Sequence, residues 1–178
     1  IKEVAQQAST GGRRAISLTT EVEPFHSIAV RLGRDYIQFS LYNLGGVELA
    51  FDQQELVYRD QSELMKGLLV HLDAFIKQHQ SSIDQLIAIG VTLPGLVNPT
   101  TGVVEYMPNT DIDNLALGKM LKEAFKVECF GGNDVRGMAL AEHYFGARQD
   151  SQDSILVSVH RGTGAGIIVN GQVFLGFN

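Results

Sequence analysis

Between His26 and Phe51 apolar residues fall on every second position in three successive runs: Ile28, Val30 and Leu32, then Ile37, Phe39 and Leu41, then Val47, Leu49 and Phe51. Gly33 and the Gly45-Gly46 pair separate the runs. A period of two belongs to a strand, whose successive side chains point to opposite faces, and breaks this short leave room only for tight turns. The segment is predicted as an antiparallel three-stranded meander. The period then changes. Asp60 followed three residues later by Glu63 is a helix-start signature, and Leu64, Leu68, Leu72 and Phe75 or Ile76 recur at helical spacing. Leu86 to Thr92 is continuously apolar, too short for a core helix, and runs into Pro94-Gly95. It reads as a buried parallel strand.

The remainder repeats the theme. A short strand is predicted at Val103 to Tyr106, a helix carrying Leu117, Leu121 and Phe125 on one face, and another short strand at Val127 to Phe130. A helix from about Asp134 to Phe145 is predicted to close at Gly146 in a left-handed cap. Ile155 to His160 and Gly166 to Val169 read as strands around a glycine-rich loop, with Asn170-Gly171 turning into Gln172 to Leu175. A meander, a crossover helix, a parallel strand and then the start of a second unit is not a doubly wound dinucleotide fold. It predicts an α/β chain of actin-like ATPase or ribonuclease H-like lobes, of the sugar kinase type, with an incomplete second lobe.

Composition narrows the function classes. With 44% hydrophobic and 19% charged residues the chain has the material for a core and lacks a disordered profile. No apolar run reaches the roughly 18 residues of a membrane span, and no signal-peptide layout opens the chain, so a cytoplasmic protein without membrane insertion is expected. The single cysteine, Cys129, excludes an internal disulfide framework. Net charge is −6, unevenly spread. Residues 1 to 14 hold Lys2, Arg13 and Arg14 against Glu3, a net of +2, and the other 11 basic and 19 acidic residues give −8. The acidic body is a poor partner for nucleic acid, so any DNA contact is expected from the basic leader or from something before it. That leader, with a Gly11-Gly12-Arg13-Arg14 turn between two strand-like stretches, is on composition alone as readily a frayed terminus or linker as an ordered piece.

Three places could carry chemistry. Arg161-Gly162-Thr163-Gly164-Ala165-Gly166 suits a backbone phosphate cradle or a plain interstrand turn; it continues as strand rather than opening a helix, and no Gly-Lys-Ser or Gly-Lys-Thr occurs. Asn133-Asp134, ending a strand and starting a helix, offers a carboxylate for a sugar hydroxyl and an amide for its neighbour, or else a helix cap. Pro94-Gly95 is an ordinary turn or a backbone approach to a ligand at a strand's carboxyl end. His71, His79 and His143 lack partners at metal-ligand spacing, and Cys129 reads as a small core residue.

Taken together, AIGVTLPGLVNPTTGVVEYMPN (88–109), GGNDVRGMALAEHYFGA (131–147) and ILVSVHRGTGAGIIVNGQVFLG (155–176) resemble the ROK family of repressors and sugar kinases. The resemblance covers about residues 24 to 178 and implies a sugar pocket between two lobes, with Gly95, Asn109, Asn133 and Asp134 as sugar-binding residues. It implies three segments: a wing remnant and linker at 1–23, a first, smaller lobe at 24–132, and the start of a second lobe at 133–178. In family register Arg31 stands at the Asp and Asp35 at the Thr of the kinases' Asp-x-Gly-Gly-Thr motif, and His160-Arg161-Gly162 stands where kinases carry Gly-Thr-Gly. Both ATP elements are degraded while Asn133-Asp134 is intact, which favours a repressor with no catalytic residue over an ATP-dependent kinase of N-acetylglucosamine or glucose, in which Asp134 would be the base.

The repressor branch implies an amino-sugar phosphate inducer, N-acetylglucosamine 6-phosphate, and control of amino-sugar uptake and catabolism genes. It also implies operator DNA as a partner through an N-terminal winged helix-turn-helix before Ile1, with Arg13 and Arg14 next to the DNA, and a homodimer or higher homo-oligomer. No metal or cofactor is expected within these residues, and the family's zinc is expected after Asn178. A third possibility is an interaction module controlled by sequestration on a membrane transporter.

Overall fold

A computed structural model of the chain describes residues 2–6, 16–147, 149–160 and 162–176. The leader contributes β1 (Lys2–Gln6) and β2 (Ile16–Thr19), paired antiparallel as a separate two-stranded sheet. Arg13 and Arg14 lie outside the described residues.

The meander forms as the period requires: β3 (Phe25–Leu32), β4 (Tyr36–Asn43) and β5 (Glu48–Glu55) pair antiparallel in sequence order. Helix α1 (Gln61–Gln78) follows, then a 3₁₀ turn at Gln80–Ser82 and β6 (Gln85–Leu93), which returns parallel to β3. Three short strands, β7 (Leu96–Val97), β8 (Val104–Tyr106) and β9 (Asp113–Leu115), make a small separate sheet. Helix α2 (Leu117–Phe125) leads into β10 (Glu128–Asn133), parallel to β6 and longer than predicted because its pairing continues to Asn133 against Leu93. The main sheet is ordered β10-β6-β3-β4-β5. Strand β3 is therefore central, and the parallel strands β3, β6 and β10 all finish at one end of the sheet.

One face of this sheet carries the core. Ile28, Val30 and Leu32 stand opposite Leu41, Phe39 and Ile37, and these six side chains are buried with Leu64, Leu68, Leu72 and Phe75 of α1 and Leu117 and Leu121 of α2. Phe39 stacks on Phe75 with ring centroids 5.3 Å apart. Burying each such side chain contributes about 1.5–3 kcal/mol. The start of α1 is doubly capped: Glu63 N–H donates to Asp60 Oδ1 (2.9 Å) and Arg59 N–H to Glu63 Oε2 (2.8 Å).

Strand β5 alternates as expected but with the opposite face buried. Leu41 pairs with Ala50 and Phe39 with Asp52, so the core side of this edge strand is Ala50 and Asp52, and Val47, Leu49 and Phe51 are exposed. Phe51 ends a row across the sheet's second face, Phe130, Gly90, Ala29, Ser40 and Phe51, in which two rings flank three small residues. An apolar groove of about 530 Å³ lies over this row.

Helix α3 (Asp134–Phe145) leads to β11 (Ser154–Val159), β12 (Thr163–Val169) and β13 (Gln172–Val173), an antiparallel second sheet. Asn170 and Gly171 make the expected tight turn, both at positive φ (51° and 73°). The predicted left-handed cap at Gly146 is absent; its φ is −81° and its ψ −169°. Glycine is required there for space, since a Cβ would fall 2.2 Å from the Glu142 carboxyl, whose Oε1 accepts from Ala147 N–H. The left-handed cap instead follows α2, at Lys126 (φ 58°). The glycine-rich stretch is not a loop either. Thr163 to Gly166 are already paired with Val159 to Leu156 in β12, and His160 N–H donates to Gly162 O (2.9 Å) where the chain reverses.

Candidate functional site

Parallel strands leave their last carbonyls and the following loops at one edge, where a ligand can approach without breaking the ladder. Here Arg31 pairs with Thr92 and Thr92 with Gly132, so the turns after β3, β6 and β10 open onto one space. A cleft of about 1060 Å³ occupies it. The turn Gly33-Arg34-Asp35, the Pro94-Gly95 turn, the Met107 to Thr110 turn, the Asn133-Asp134 start of α3 and the β11–β12 turn at His160 form its walls. Gly95, Asn109, Asn133 and Asp134, from three separate stretches of sequence, all line it.

Asn133 serves two elements. Its Oδ1 accepts from Arg136 N–H (3.0 Å), capping α3, and its Nδ2 donates to Gly95 O (2.9 Å), tying the β6 turn to the helix start. The cap and ligand readings of Asn133 are therefore not exclusive, because the amide keeps one further N–H and one lone pair. Asp134 is half-buried, and its Oδ1 accepts from Val135 N–H at 2.9 Å. Gly95 is fixed by space: a Cβ there would stand 2.5 Å from Tyr106 O. Asn109 sits exposed at a turn with φ 62°, which Asn tolerates, and the turn is closed by Thr110 Oγ1 donating to Met107 O (3.0 Å) and by Met107 N–H donating to Ile112 O (3.2 Å).

The opposite wall holds Tyr58, to which no motif points, beside Arg31, Arg34 and Asp35. Tyr58, buried, donates its hydroxyl to Gly33 O at 2.7 Å. Burial pushes its phenol up to about 12, the Arg34 charge pulling the other way and Asp35 adding to the rise. Gly33 N–H donates to Tyr36 O (2.8 Å) and Leu56 N–H to Asp35 O (3.1 Å), so the turn bearing Arg34 is held at three points. Arg31, singled out by family register, lines the cleft beside it; Arg161 lies outside the described residues.

The glycines of β12 serve packing. A Cβ on Gly164 would meet Val135 Cγ2 at 2.9 Å, and one on Gly166 would meet Ala139 Cβ at 2.5 Å and Val135 O at 2.7 Å, so both let α3 lie against the second sheet. Cys129 is half-buried with its thiol pushed up, chiefly by burial, and its Sγ–H donates to Val127 O (3.4 Å), which suits a core residue and not a nucleophile. Among the described residues no group of three or more His, Cys, Asp or Glu side chains could hold a metal ion. No helix among them is long and apolar enough to cross a membrane.

The ROK family model matches residues 27–178. The chain is 54% identical over all 178 residues to the N-acetylglucosamine repressor of Escherichia coli O6:H1, of which it spans 44%. Its structure is similar to the crystal structure of a ROK family transcriptional regulator, a homolog of the E. coli MLC protein, with a TM-score of 0.87 and 38% identity over 92% of this chain and 41% of that one. A ROK family glucokinase from Streptomyces griseus, 22% identical, shares the fold with a TM-score of 0.73 over 85% of this chain and 47% of its own. The architecture is thus the actin-like, ribonuclease H-like fold that the strand order suggested.

Proposed function

The chain belongs to the ROK family, and from that premise we propose that it is the sugar-sensing part of a transcriptional repressor whose inducer is N-acetylglucosamine 6-phosphate and whose targets are amino-sugar uptake and catabolism genes. It spans less than half of the repressor it resembles, and operator binding through a winged helix-turn-helix, with Arg13 and Arg14 close to the DNA, belongs to this proposal. So do assembly as a homodimer or larger homo-oligomer, a zinc site outside these residues, and residence in the cytoplasm. Residues 1–23 are the wing remnant and linker, 24–132 the first lobe, and 133–178 the start of the second.

One observation carries this: the cleft keeps a sugar-binding wall while its phosphate-and-metal wall carries cations. Gly95, Asn133 and Asp134 converge through the 2.9 Å Asn133–Gly95 hydrogen bond, whereas Arg31 stands where a kinase of this family needs the aspartate that serves magnesium and ATP phosphate. A guanidinium cannot ligate a metal ion. Asp134 then accepts a hydrogen bond from a sugar hydroxyl and has no phosphoryl group to direct that hydroxyl towards. Because the cleft draws its walls from the first sheet and from α3 with the second sheet, a ligand that bridges them favours one relative setting of the two. Differential affinity for that setting is what shifts DNA-binding heads joined through the leader.

Calorimetry on the full-length protein tests the proposal. Binding of N-acetylglucosamine 6-phosphate at concentrations that release operator DNA is expected, and no heat at those concentrations would remove it. A coupled ADP-release assay with N-acetylglucosamine and glucose addresses the kinase alternative: turnover abolished by Asp134→Asn would replace the repressor reading with an enzyme.

A further inference from the structure

We propose that Arg31 and Arg34 form the anion subsite of the cleft, holding the phosphomonoester of a phosphorylated sugar and so making the cleft select phosphosugar over free sugar; this rests on the sugar-sensing reading above.

Placement is the first argument. Arg31 and Gly132 are separated by one strand, since Arg31 pairs with Thr92 and Thr92 with Gly132. Two strand spacings put Arg31 about 10 Å from the corner where Asn133 and Asp134 begin α3. That span suits a pyranose ring with a phosphate on its exocyclic carbon. Arg34 extends from the adjoining turn into the same cleft.

The second argument is availability. Arg31 and Arg34 are exposed, and among the described residues neither guanidinium makes a hydrogen bond or salt bridge; the two ion pairs present, Lys77–Asp73 and Lys122–Glu128, lie elsewhere. The turn carrying Arg34 is fixed by the Tyr58–Gly33, Gly33–Tyr36 and Leu56–Asp35 hydrogen bonds, so the side chain hangs from a preorganised support. Two guanidinium forks match the oxygens of a phosphate dianion in a way a single lysine does not.

The third argument concerns the competing anion site. The start of α3 faces the cleft, but two of its first amides are spent: Val135 N–H on Asp134 Oδ1 and Arg136 N–H on Asn133 Oδ1. The Asp134 carboxylate also repels an anion there. Of the other charged or titratable side chains lining the cleft, Asp35, Tyr36 and Tyr58 stand on the arginine side and His160 on the β11–β12 side. The charges therefore orient the ligand, with hydroxyls toward Asp134 and phosphate toward Arg31 and Arg34.

The test is calorimetry on the full-length protein with N-acetylglucosamine 6-phosphate and with N-acetylglucosamine, for wild type, Arg31→Ala, Arg34→Ala and the double variant. Wild type is expected to prefer the phosphosugar. Each single variant is expected to lose about 10- to 100-fold in phosphosugar affinity, the scale of a charge-assisted hydrogen bond, while free-sugar affinity stays within about twofold. The double variant should show no preference. Melting temperatures report folding, and Arg34→Ala, on the exposed turn, carries the test should Arg31→Ala fail to fold. Variants that keep the wild-type preference overturn the subsite and leave sugar sensing standing, as does equal loss of both ligands. A wild type that binds neither sugar overturns sugar sensing and the subsite with it.

Discussion

The Asn133 side chain joins two turns that are 38 residues apart in sequence, donating to Gly95 O at 2.9 Å while its carbonyl oxygen caps α3 at Arg136 N–H. A single amide thus adds, beyond the β6–β10 ladder that ends at Leu93 and Asn133, a tie between the Gly95 turn and the helix that carries Asp134. Asn133→Ala removes both bonds and is expected to cost about 1–3 kcal/mol of stability. Asn133→Asp keeps the cap but cannot donate to Gly95, so it should recover most of that loss and still bind sugar more weakly. Urea denaturation paired with calorimetry separates the two: an Asn133→Asp variant that matches wild type in both would deny the Gly95 bond a role, and one no better than Asn133→Ala would deny the cap one.

Gly95 has no room for a side chain. Gly95→Ala places a methyl group 2.5 Å from Tyr106 O, and backbone on both sides must move to relieve it. A stability loss of about 1–3 kcal/mol is expected, with weaker sugar binding because the turn lines the cleft. A variant as stable as wild type, measured by chemical denaturation, would show that the turn yields freely.

Tyr58 should make the protein sensitive to alkali. Its folded-state phenol titrates at about 12, above the ordinary value of 10, because burial disfavours the anion. Between those values the unfolded chain releases the proton and the folded one keeps it, so this contribution is complete below about pH 10 and is lost as pH rises towards 12. Urea midpoints measured from pH 8 upward should fall more steeply for wild type than for Tyr58→Phe, which also loses the Gly33 hydrogen bond, about 1 kcal/mol, at neutral pH. Parallel curves would contradict the burial argument.

Long periodic segments of this fold were legible because burial on one face imposes the period that the sequence displays: Ile28 to Leu41 as strands, Leu64 to Phe75 as a helix. Strands β7 and β9 were not, since two or three residues contain no period. For β5 the alternation was visible and the face was not, because an edge strand opposite Leu41 and Phe39 fills its core side with Ala50 and Asp52, and its larger apolar side chains go outward. Gly95, Asn133 and Asp134 are legible from turns at strand ends, and Asn109 from motif resemblance alone; the chain brings all four into one cleft. Tyr58 lay beyond such reading: a tyrosine between a strand and a helix says nothing of a bond to a glycine 25 residues earlier.

The glycines of β12 give a last test, one that separates packing from phosphate binding. A phosphate cradle needs backbone N–H groups at an open turn, and the residue there is Gly162, where a Cβ would meet nothing within 4 Å. Gly166 is different. Its Cβ would overlap Ala139 Cβ at 2.5 Å and Val135 O at 2.7 Å, so Gly166→Ala must push α3 off the sheet. Overpacking of this kind costs about 1–3 kcal/mol, whereas Gly162→Ala should change stability by less than about 0.5 kcal/mol. Displacing α3 also shifts Asn133 and Asp134, so Gly166→Ala is expected to weaken sugar binding and Gly162→Ala to leave it unaltered. Denaturation midpoints and sugar affinities for the two variants decide the matter. If Gly162→Ala lost nucleotide or phosphate binding at unchanged stability, the stretch would be a phosphate loop after all. If Gly166→Ala alone is destabilised, its glycine exists so that a helix can lie flat on a strand.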